Sequence, residues 1–418
     1  MMAQTADSTG VTRTLEIVGH LLDTGLMNEA LDRITDRGGA FEVLRFEAGR
    51  HRQEVSTAVL RVSAADEPQM QGIIEELIAL GARVPTLEEA DARLVAVEQD
   101  GVAPEDFYST TIFRTEVRLN GNWIPVRRQR MDVVIMVDSE GKTATCRLMR
   151  ELKAGDRVVC GVDGIRTFPP ERPGSESTEE FAFMASSVSS ERRVELAVQE
   201  IARDLTHLRD SGGKVAVVAG PVVVHTGGAP HLAALIREGY VHALLGGNAI
   251  AVHDIELHLF GTSLGVNMDR GQPVHEGHKH HLRAINLVRK YGSIRATVEA
   301  GAITGGIMYE CVRKEIPYVL AGSIRDDGPL PDTLMDLIAA QAAYAEAIQG
   351  ADLILMLSSM LHSIGVGNMT PAGVKLVCVD INPAVVTKLA DRGSIESVGV
   401  VTDVGLFLRL VADSLNLA

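Results

Sequence analysis

The stretch VHALLGGNAIAVHDIELHLFG, residues 241–261, decides the fold. A short apolar run from Val241 to Leu245 stops on Gly246-Gly247-Asn248. A helical pattern follows at once and carries His253, Asp254 and Glu256 near its start. The same alternation recurs from about residue 186 to the end. A polar helix, SSERRVELAVQEIARDLTHLRDSGG, leads in, and KVAVVAG is followed by HLAALIREG. PYVLAGS precedes PDTLMDLIAAQAAYAEAIQG, VKLVCVDIN precedes PAVVTKLADRG, and ESVGVVTDV precedes GLFLRLVADSL. ADLILMLSS is expected to run into a glycine-containing loop. Continuously apolar strands are buried on both faces, which is the mark of a parallel sheet. Right-handed crossovers then build a doubly wound, Rossmann-like layer, and the fold class is α/β.

Upstream the pattern changes. RTLEIVGH, AFEVLRFEAG and EVSTAVLRVSA read as strands, and DTGLMNEALDRITDRGG and PQMQGIIEELIALGA as helices stopped by Gly38-Gly39 and Gly81. The order β-α-β-β-α-β predicts an N-terminal ferredoxin-like α+β unit over residues 10–98. WIPVRRQRMDVVIMV, KTATCRLMR and DRVVCGVDGIRT are short β-type runs between turns, so residues 99–185 read as a small β subdomain. FPPERPGSESTEEF, residues 168–181, is the best linker, and residues 186–418 form the Rossmann-like domain.

Bulk properties narrow the function. At 418 residues the chain exceeds one ordinary core, so two or three domains are expected. A net charge of -15 and only 4% aromatic residues argue against a nucleic-acid partner, which needs a basic face or stacking platforms. Cys146, Cys160, Cys311 and Cys378 are scattered, with no CxxC pair, so a reducing cytoplasm is expected. The N-terminal stretch has no long apolar region of the signal-peptide kind, and no run is long enough to span a bilayer, so no membrane partner is expected.

In an open α/β sheet, ligands sit beyond the carboxyl ends of the strands. There the sequence places Pro221, Gly246-Gly247-Asn248-Ala249, Ser323 to Gly328, Ser358 to His362, Asp380 and Asp403-Val404. Small residues there let a ligand approach backbone amides, and the helix start behind them favours an anion such as a pyrophosphate. Asp380 closes a buried strand and can accept from ribose hydroxyls while repelling a 2′-phosphate, which favours NAD over NADP; it reads equally as a turn aspartate. Asn248 reads as both a helix N-cap and a cofactor contact. GVGNMT, residues 365–370, misses a glycine fingerprint by its last residue, and VAGPVVVHTGGAP has the wrong spacing, so any dinucleotide is held in a non-standard way. HEGHKHHLRAIN gathers His275, His278, Lys279, His280 and His281, open to three readings: a substrate site, a metal cluster or a solvated loop. The spacing does not match a helical zinc site, and no metal is assigned. Asp254 and His258 are four apart and His253 and Glu256 three apart on one helix, as suits catalysis or helix stabilisation alike.

Several blocks carry a resemblance over residues 12–415: EIVGHLLDTGLMNEALDRITDRGGAFEVLRF, DGVAPEDFYSTT, NWIPVRRQRMDVVIMV, GGNAIAVHDIE, GHKHHLRAIN and LAGSIRDDGPLPD. Together they resemble the alternative, archaeal-type ornithine cyclodeaminases, which carry the LOR/SDH region and are related to the C-terminal part of cyanobacterial arginine dihydrolase/ornithine cyclodeaminases. The last domain also looks like the NAD-binding fold of deoxyhypusine synthase, consistent with the missing fingerprint. The resemblance implies an enzyme with NAD as cofactor, converting L-ornithine to L-proline and ammonia by internal hydride transfer, and the apolar β middle segment makes a homo-oligomer the expectation. By position it implies NAD contacts from Asn248, Ala249, Asp327, Ser359, Met360, Leu361, His362, Asp380, Asp403 and Val404.

That chemistry needs a base, a carboxylate holder and a proton shuttle. Asp254 or Glu256 is the expected base or amine anchor, Lys279 or Arg325 the expected carboxylate holder, and His280 and His281 the expected shuttles. Three rivals stay open: another NAD-dependent amino-acid dehydrogenase, a sensing module that binds without turnover, and a cyclodeaminase of another diamino acid.

Overall fold

The computed structural model describes residues 10–19, 21, 26–49, 56–80, 82–83, 90–168, 190–264, 266–267, 279–326, 328–390 and 397–417. Gly81, the linker stretch 169–181, His275, His278 and Asp327 lie outside the described residues. The chain divides into two compact units, Met1–Ser186 and Ser187–Ala418.

The first unit opens with β1 (Val11–Gly19), α1 (Leu26–Asp36), β2 (Ala40–Glu47), β3 (Ser56–Ala64), α2 (Glu67–Ala79) and β4 (Ala82–Arg83). The strands lie in the order β2-β3-β1-β4 with antiparallel pairing throughout, the ferredoxin-like arrangement. The helix ends follow the sequence. Gly38 turns α1 off at φ 73, where a side chain would be strained. Asp66 caps α2 by accepting from the Gln69 N–H at 2.9 Å, while the Gln69 side chain accepts from Ala65 N–H at 2.6 Å. Leu15, Ile17, Leu60, Val62, Ile73 and Leu77 fill the space between sheet and helices.

A second sheet follows, built from β5 (Arg93–Ala96), β6 (Arg114–Leu119), β7 (Asn122–Arg127), β8 (Val134–Val137), β9 (Ala144–Arg147), β10 (Arg157–Cys160) and β11 (Ile165–Phe168). Its order is β11-β6-β7-β9-β8-β10-β5. Val117, Val126, Ile135 and Val159 from this sheet join the same core as Leu60 and Leu77, so both sheets bury one apolar mass.

The second unit begins with α3 (Ser190–Ser211), β12 (Val215–Ala219), α4 (Val222–His225), α5 (Ala229–Arg237), β13 (Ala243–Gly247) and α6 (Asn248–Phe260). The small strands β14 (Thr262–Ser263) and β15 (Val266–Asn267) precede α7 (His280–Tyr291), α8 (Ile294–Glu299) and α9 (Ile307–Arg313). Then come β16 (Tyr318–Ala321), β17 (Thr333–Leu334), α10 (Leu337–Ala347), β18 (Leu353–Leu357), α11 (Met360–Met369), β19 (Lys375–Asp380), α12 (Pro383–Ala390), β20 (Ser397–Val401) and α13 (Val404–Ser414). The sheet order is β17-β16-β13-β12-β18-β19-β20, parallel throughout. Chain order reverses between β12 and β18, the switch point of a doubly wound sheet. Alternate residues explain the two layers: Val215, Val217 and Ala219 face one core, with Leu232, Ile255, Met308 and Phe407. Ala216 and Val218 face the other, with Ala340, Tyr344, Val366 and Met369. Among the described residues no helix is long and apolar enough to cross a membrane.

Three details depart from the sequence reading. The segment after β18 is helical, not a loop, and Gly365 and Gly367 lie inside α11. Glycine costs a helix roughly 1 kcal/mol per residue, but α11 buries Val366 and Met369 in the second core, which outweighs it. The N-cap of α6 is Gly247 at φ -90 and ψ 173, and Asn248 is the first helical residue. The crossover from β13 to β16 contains α7, α8 and α9, of which only the histidine-rich start stood out in the sequence.

Candidate active site

The carboxyl edge of the parallel sheet is packed backbone to backbone. A Cβ on Gly220, just past β12, would stand 2.2 Å from the Ser358 carbonyl oxygen past β18. On Gly246 it would stand 2.7 Å from the Ala219 carbonyl oxygen, so these strand ends admit only glycine. Gly247 is different: its missing Cβ would meet the His362 ring, with Cε1 at 3.1 Å. His362 is oriented by a 2.7 Å hydrogen bond between Nδ1 and Ser359 Oγ. Burial holds its imidazole below the ordinary histidine pKa, against the opposing pull of the Asp326 carboxylate. Tyr344 completes this wall by donating its hydroxyl to the Gly246 carbonyl at 2.7 Å.

The expected cofactor residues fall on this edge in distinct ways. Asn248 is buried, and its Oδ1 accepts from Leu330 N–H at 3.0 Å and the Thr333 hydroxyl at 2.9 Å, tying down the chain after β16. Ala249 is half-buried, whereas Met360 and Leu361 are exposed apolar side chains at the start of α11. Asp380 ends β19 and accepts from Asn382 N–H at 2.8 Å, the turn role that the sequence offered beside a ribose contact. Asp403 caps α13 by accepting from Leu406 N–H at 2.9 Å. Val404 packs into the core, so any ligand contact it makes runs through its backbone.

Beside α6 lies a second cluster, buried and polar. Glu256 is 0% exposed. Its carboxylate accepts from His253 Nδ1 at 2.9 Å, from the Thr262 hydroxyl at 3.0 Å and from Leu264 N–H at 3.2 Å. Thr262 has one hydroxyl hydrogen, which goes to Glu256, so His280 Nδ1 donates to the Thr262 oxygen across 2.8 Å. These bonds make Nδ1 the donor side of both rings. His280 stacks on Phe260 at 4.6 Å between ring centroids. The His225 ring meets His253 edge-on at 4.9 Å, and His225 Nδ1 lies 2.6 Å from Ser263 Oγ. Burial first, and the neighbouring His253 second, push the His225 pKa down to about 4, with Glu256 opposing.

Asp254 belongs to a different structure. Its two carboxylate oxygens accept from Ile307 and Met308 N–H groups, each at 2.8 Å, and so hold the start of α9. Burial pushes its pKa up to about 6, opposed by those two N–H bonds. His258 accepts from Thr304 N–H at 3.2 Å, so the residues four apart on α6 grip one turn rather than each other. With both oxygens engaged, Asp254 anchors the start of α9.

Lys279 and Arg325 are exposed, the first at the start of α7 and the second on the turn after β16; His281 is half-buried. The structure therefore gathers Glu256, His253 and His280, the first two already paired by their spacing, and adds His225, Thr262 and Ser263, which the sequence did not single out as catalytic. His225 had a signal, since it follows a strand end by only a few residues. Thr262 and Ser263 had none. Among the described residues no group of three or more His, Cys, Asp or Glu side chains is arranged to hold a metal ion.

Comparison with known proteins fits this geometry. Residues 12–113 match the LOR/SDH bifunctional enzyme conserved region. Residues 114–198 match the first region, and residues 199–411 the Rossmann fold, of the C-terminal part of arginine dihydrolase ArgZ-like proteins. An ornithine cyclodeaminase of Methanothermobacter thermautotrophicus is 47% identical over 400 residues, covering 96% of this chain and 97% of that protein.

The chain belongs to the archaeal-type ornithine cyclodeaminase family.

This member of the ornithine cyclodeaminase family is also 62% identical over 408 residues to the bifunctional arginine dihydrolase/ornithine cyclodeaminase AgrE of Nostoc sp.. That match takes in 97% of this chain but spans only 58% of the longer relative. The apo crystal structure of cyanobacterial ArgZ superposes with a TM-score of 0.86 at 57% identity, covering 98% of this chain and 59% of that one. The ternary complex of AgrE with ornithine and NAD⁺ matches with a TM-score of 0.53 at 60% identity, over 98% of this chain and 58% of that one. The expected α/β fold with its Rossmann-like C-terminal sheet is borne out.

Proposed function

We propose that this chain is an NAD-dependent ornithine cyclodeaminase that converts L-ornithine to L-proline and ammonia with no net oxidation. The observation that carries this reading is the AgrE ternary complex with ornithine and NAD⁺, whose chain is 60% identical over 98% of this one. The carboxyl edge suits a dinucleotide: Gly247 leaves open a space that a Cβ would fill, walled by the His362 ring and the Ala321 carbonyl oxygen. Asn248, Ala249, Ser359 to His362, Asp380, Asp403 and Val404 would hold NAD, with Asp327 completing the set. When bound, NAD⁺ supplies a hydride acceptor that is regenerated within each cycle.

The buried cluster supplies proton chemistry. Glu256 fixes His253 with Nδ1–H toward the carboxylate, which makes Nε2 a base able to take a proton from a substrate ammonium. The Thr262 hydroxyl couples Glu256 to His280 and keeps the second imidazole in the same tautomer. Asp254 holds α9 in place. Lys279 and Arg325 remain the holders proposed for the substrate carboxylate, and His281 a proposed shuttle. The four cysteines are free and buried, which supports a reducing, cytoplasmic setting. We also propose a functional division at 10–98, 99–185 and 186–418.

The test uses the full chain with NAD⁺ and L-ornithine. Equimolar proline and ammonia without accumulating NADH is the expected result. Net NADH would make the protein an amino-acid dehydrogenase instead. NAD binding without turnover would make it a sensor, and preferred turnover of lysine or 2,4-diaminobutyrate would reassign the substrate.

A further inference from the structure

The strand β2 at the edge of the first sheet is unusual. Among the described residues it pairs only with β3, so one rail of its N–H and C=O groups faces outward. Every residue of β2 is exposed, although its neighbour β3 buries five side chains. Edge strands are normally blunted by shortness, inward charges or proline, but this one runs eight residues and has no proline. It carries Phe41, Val43, Leu44 and Phe46, each between 38% and 44% exposed.

The placement of these residues is ordered. Phe41, Val43 and Phe46 lie opposite Val62, Leu60 and Ala58, the residues of β3 that face the core. Glu42, Arg45 and Glu47 lie opposite Arg61, Val59 and Thr57 on the other face. Phe41 and Phe46 are an odd number of residues apart and share a face only because the register shifts at Leu44.

We propose that β2 is a self-association surface, pairing antiparallel with β2 of a second copy of this chain about a two-fold axis. One register satisfies the faces and charges together. It sets Phe41 opposite Phe46, Glu42 opposite Arg45 and Val43 opposite Leu44 of the second copy, and by symmetry the reverse. Shifting by one residue either way sets Phe41 against Glu47 or against Arg45. The strand is thus self-complementary, as an isologous interface requires, with aromatic and opposite-charge cross-strand pairs. The two four-stranded sheets become one continuous sheet. An interface built on one strand edge falls below the area of a permanent dimer, so the mass depends on protein concentration. This inference does not rest on the proposed activity.

Sedimentation of the full chain over a range of concentrations tests it, with Glu42→Arg and Arg45→Glu as separate variants. Each variant alone places like charges opposite each other twice and is expected to weaken association about tenfold. Mixing the two variants restores both Glu–Arg pairs, so the mixture is expected to dimerise as the parent does. A thermal melt of each variant checks folding independently. A parent chain that stays monomeric would overturn the proposal and leave the edge to another occupant. So would variants that associate unchanged, or a mixture that fails to associate.

Discussion

Asp254 and Glu256 sit two residues apart on α6, and their partners set them different tasks. Asp254 answers two backbone N–H groups, and Glu256 answers a histidine and a hydroxyl. Asp254→Asn keeps the shape but turns an amide N–H₂ against a backbone donor. It is expected to cost about 1–3 kcal/mol of stability, read as a lower melting temperature, with kcat of the folded fraction little changed. Glu256→Gln is expected to lower kcat about a hundredfold and to shift the acidic limb of the pH–rate profile, because His253 loses its carboxylate. An unshifted profile would remove the dyad from the mechanism. His225 carries a pH consequence of its own. Its folded pKa of about 4 lies below the ordinary 6.5, so the folded state favours the neutral ring. That stability is fully present above pH 6.5 and falls away as pH drops toward 4. Asp254, raised to about 6, acts with the opposite sign and costs stability as pH rises from about 4 to 6. Denaturant midpoints at pH 7 and pH 5 should therefore fall less in His225→Gln than in the parent, whereas an equal fall would exclude His225 as a source.

At the scale of elements, the strand ends of the parallel sheet were legible as such, and as the proposed ligand edge, because small residues interrupt continuous apolar runs. The sequence could not say which glycine serves packing and which serves the site. Gly246→Ala would press on the Ala219 carbonyl oxygen and on Ile250, and is expected to destabilise the fold by about 1–3 kcal/mol. Gly247→Ala would press only on the His362 ring, which can turn away by giving up its bond to Ser359. It is expected to leave the melting temperature within a few degrees and weaken NAD binding about tenfold, measured by titration calorimetry. Equal effects of the two substitutions would contradict this division of roles. The helix α11 was illegible for a related reason: its glycines read locally as a loop, and only the second core that receives Val366 and Met369 makes helix the better outcome.

At the scale of the whole molecule, two units with separate cores should not melt as one. NAD at a hundred times its dissociation constant adds about 2.7 kcal/mol to whatever binds it. Scanning calorimetry is expected to show the transition of the 187–418 unit moving upward with NAD while that of the 1–186 unit stays. A parallel shift of both would mean that NAD binding couples them. The sequence by itself determined the fold class, because strand burial, helix period and glycine stops are local patterns that any chain with those residues must satisfy. It also set the expectation that a cofactor lies at the strand ends, because the crossover rule turns chain order into position. Only the tertiary structure decided that Asp254 holds the start of α9, that Glu256 reaches His280 through Thr262, and that His225 joins them. Hydrogen bonds between side chains from different elements depend on where those elements pack, and spacing along the chain does not encode that distance.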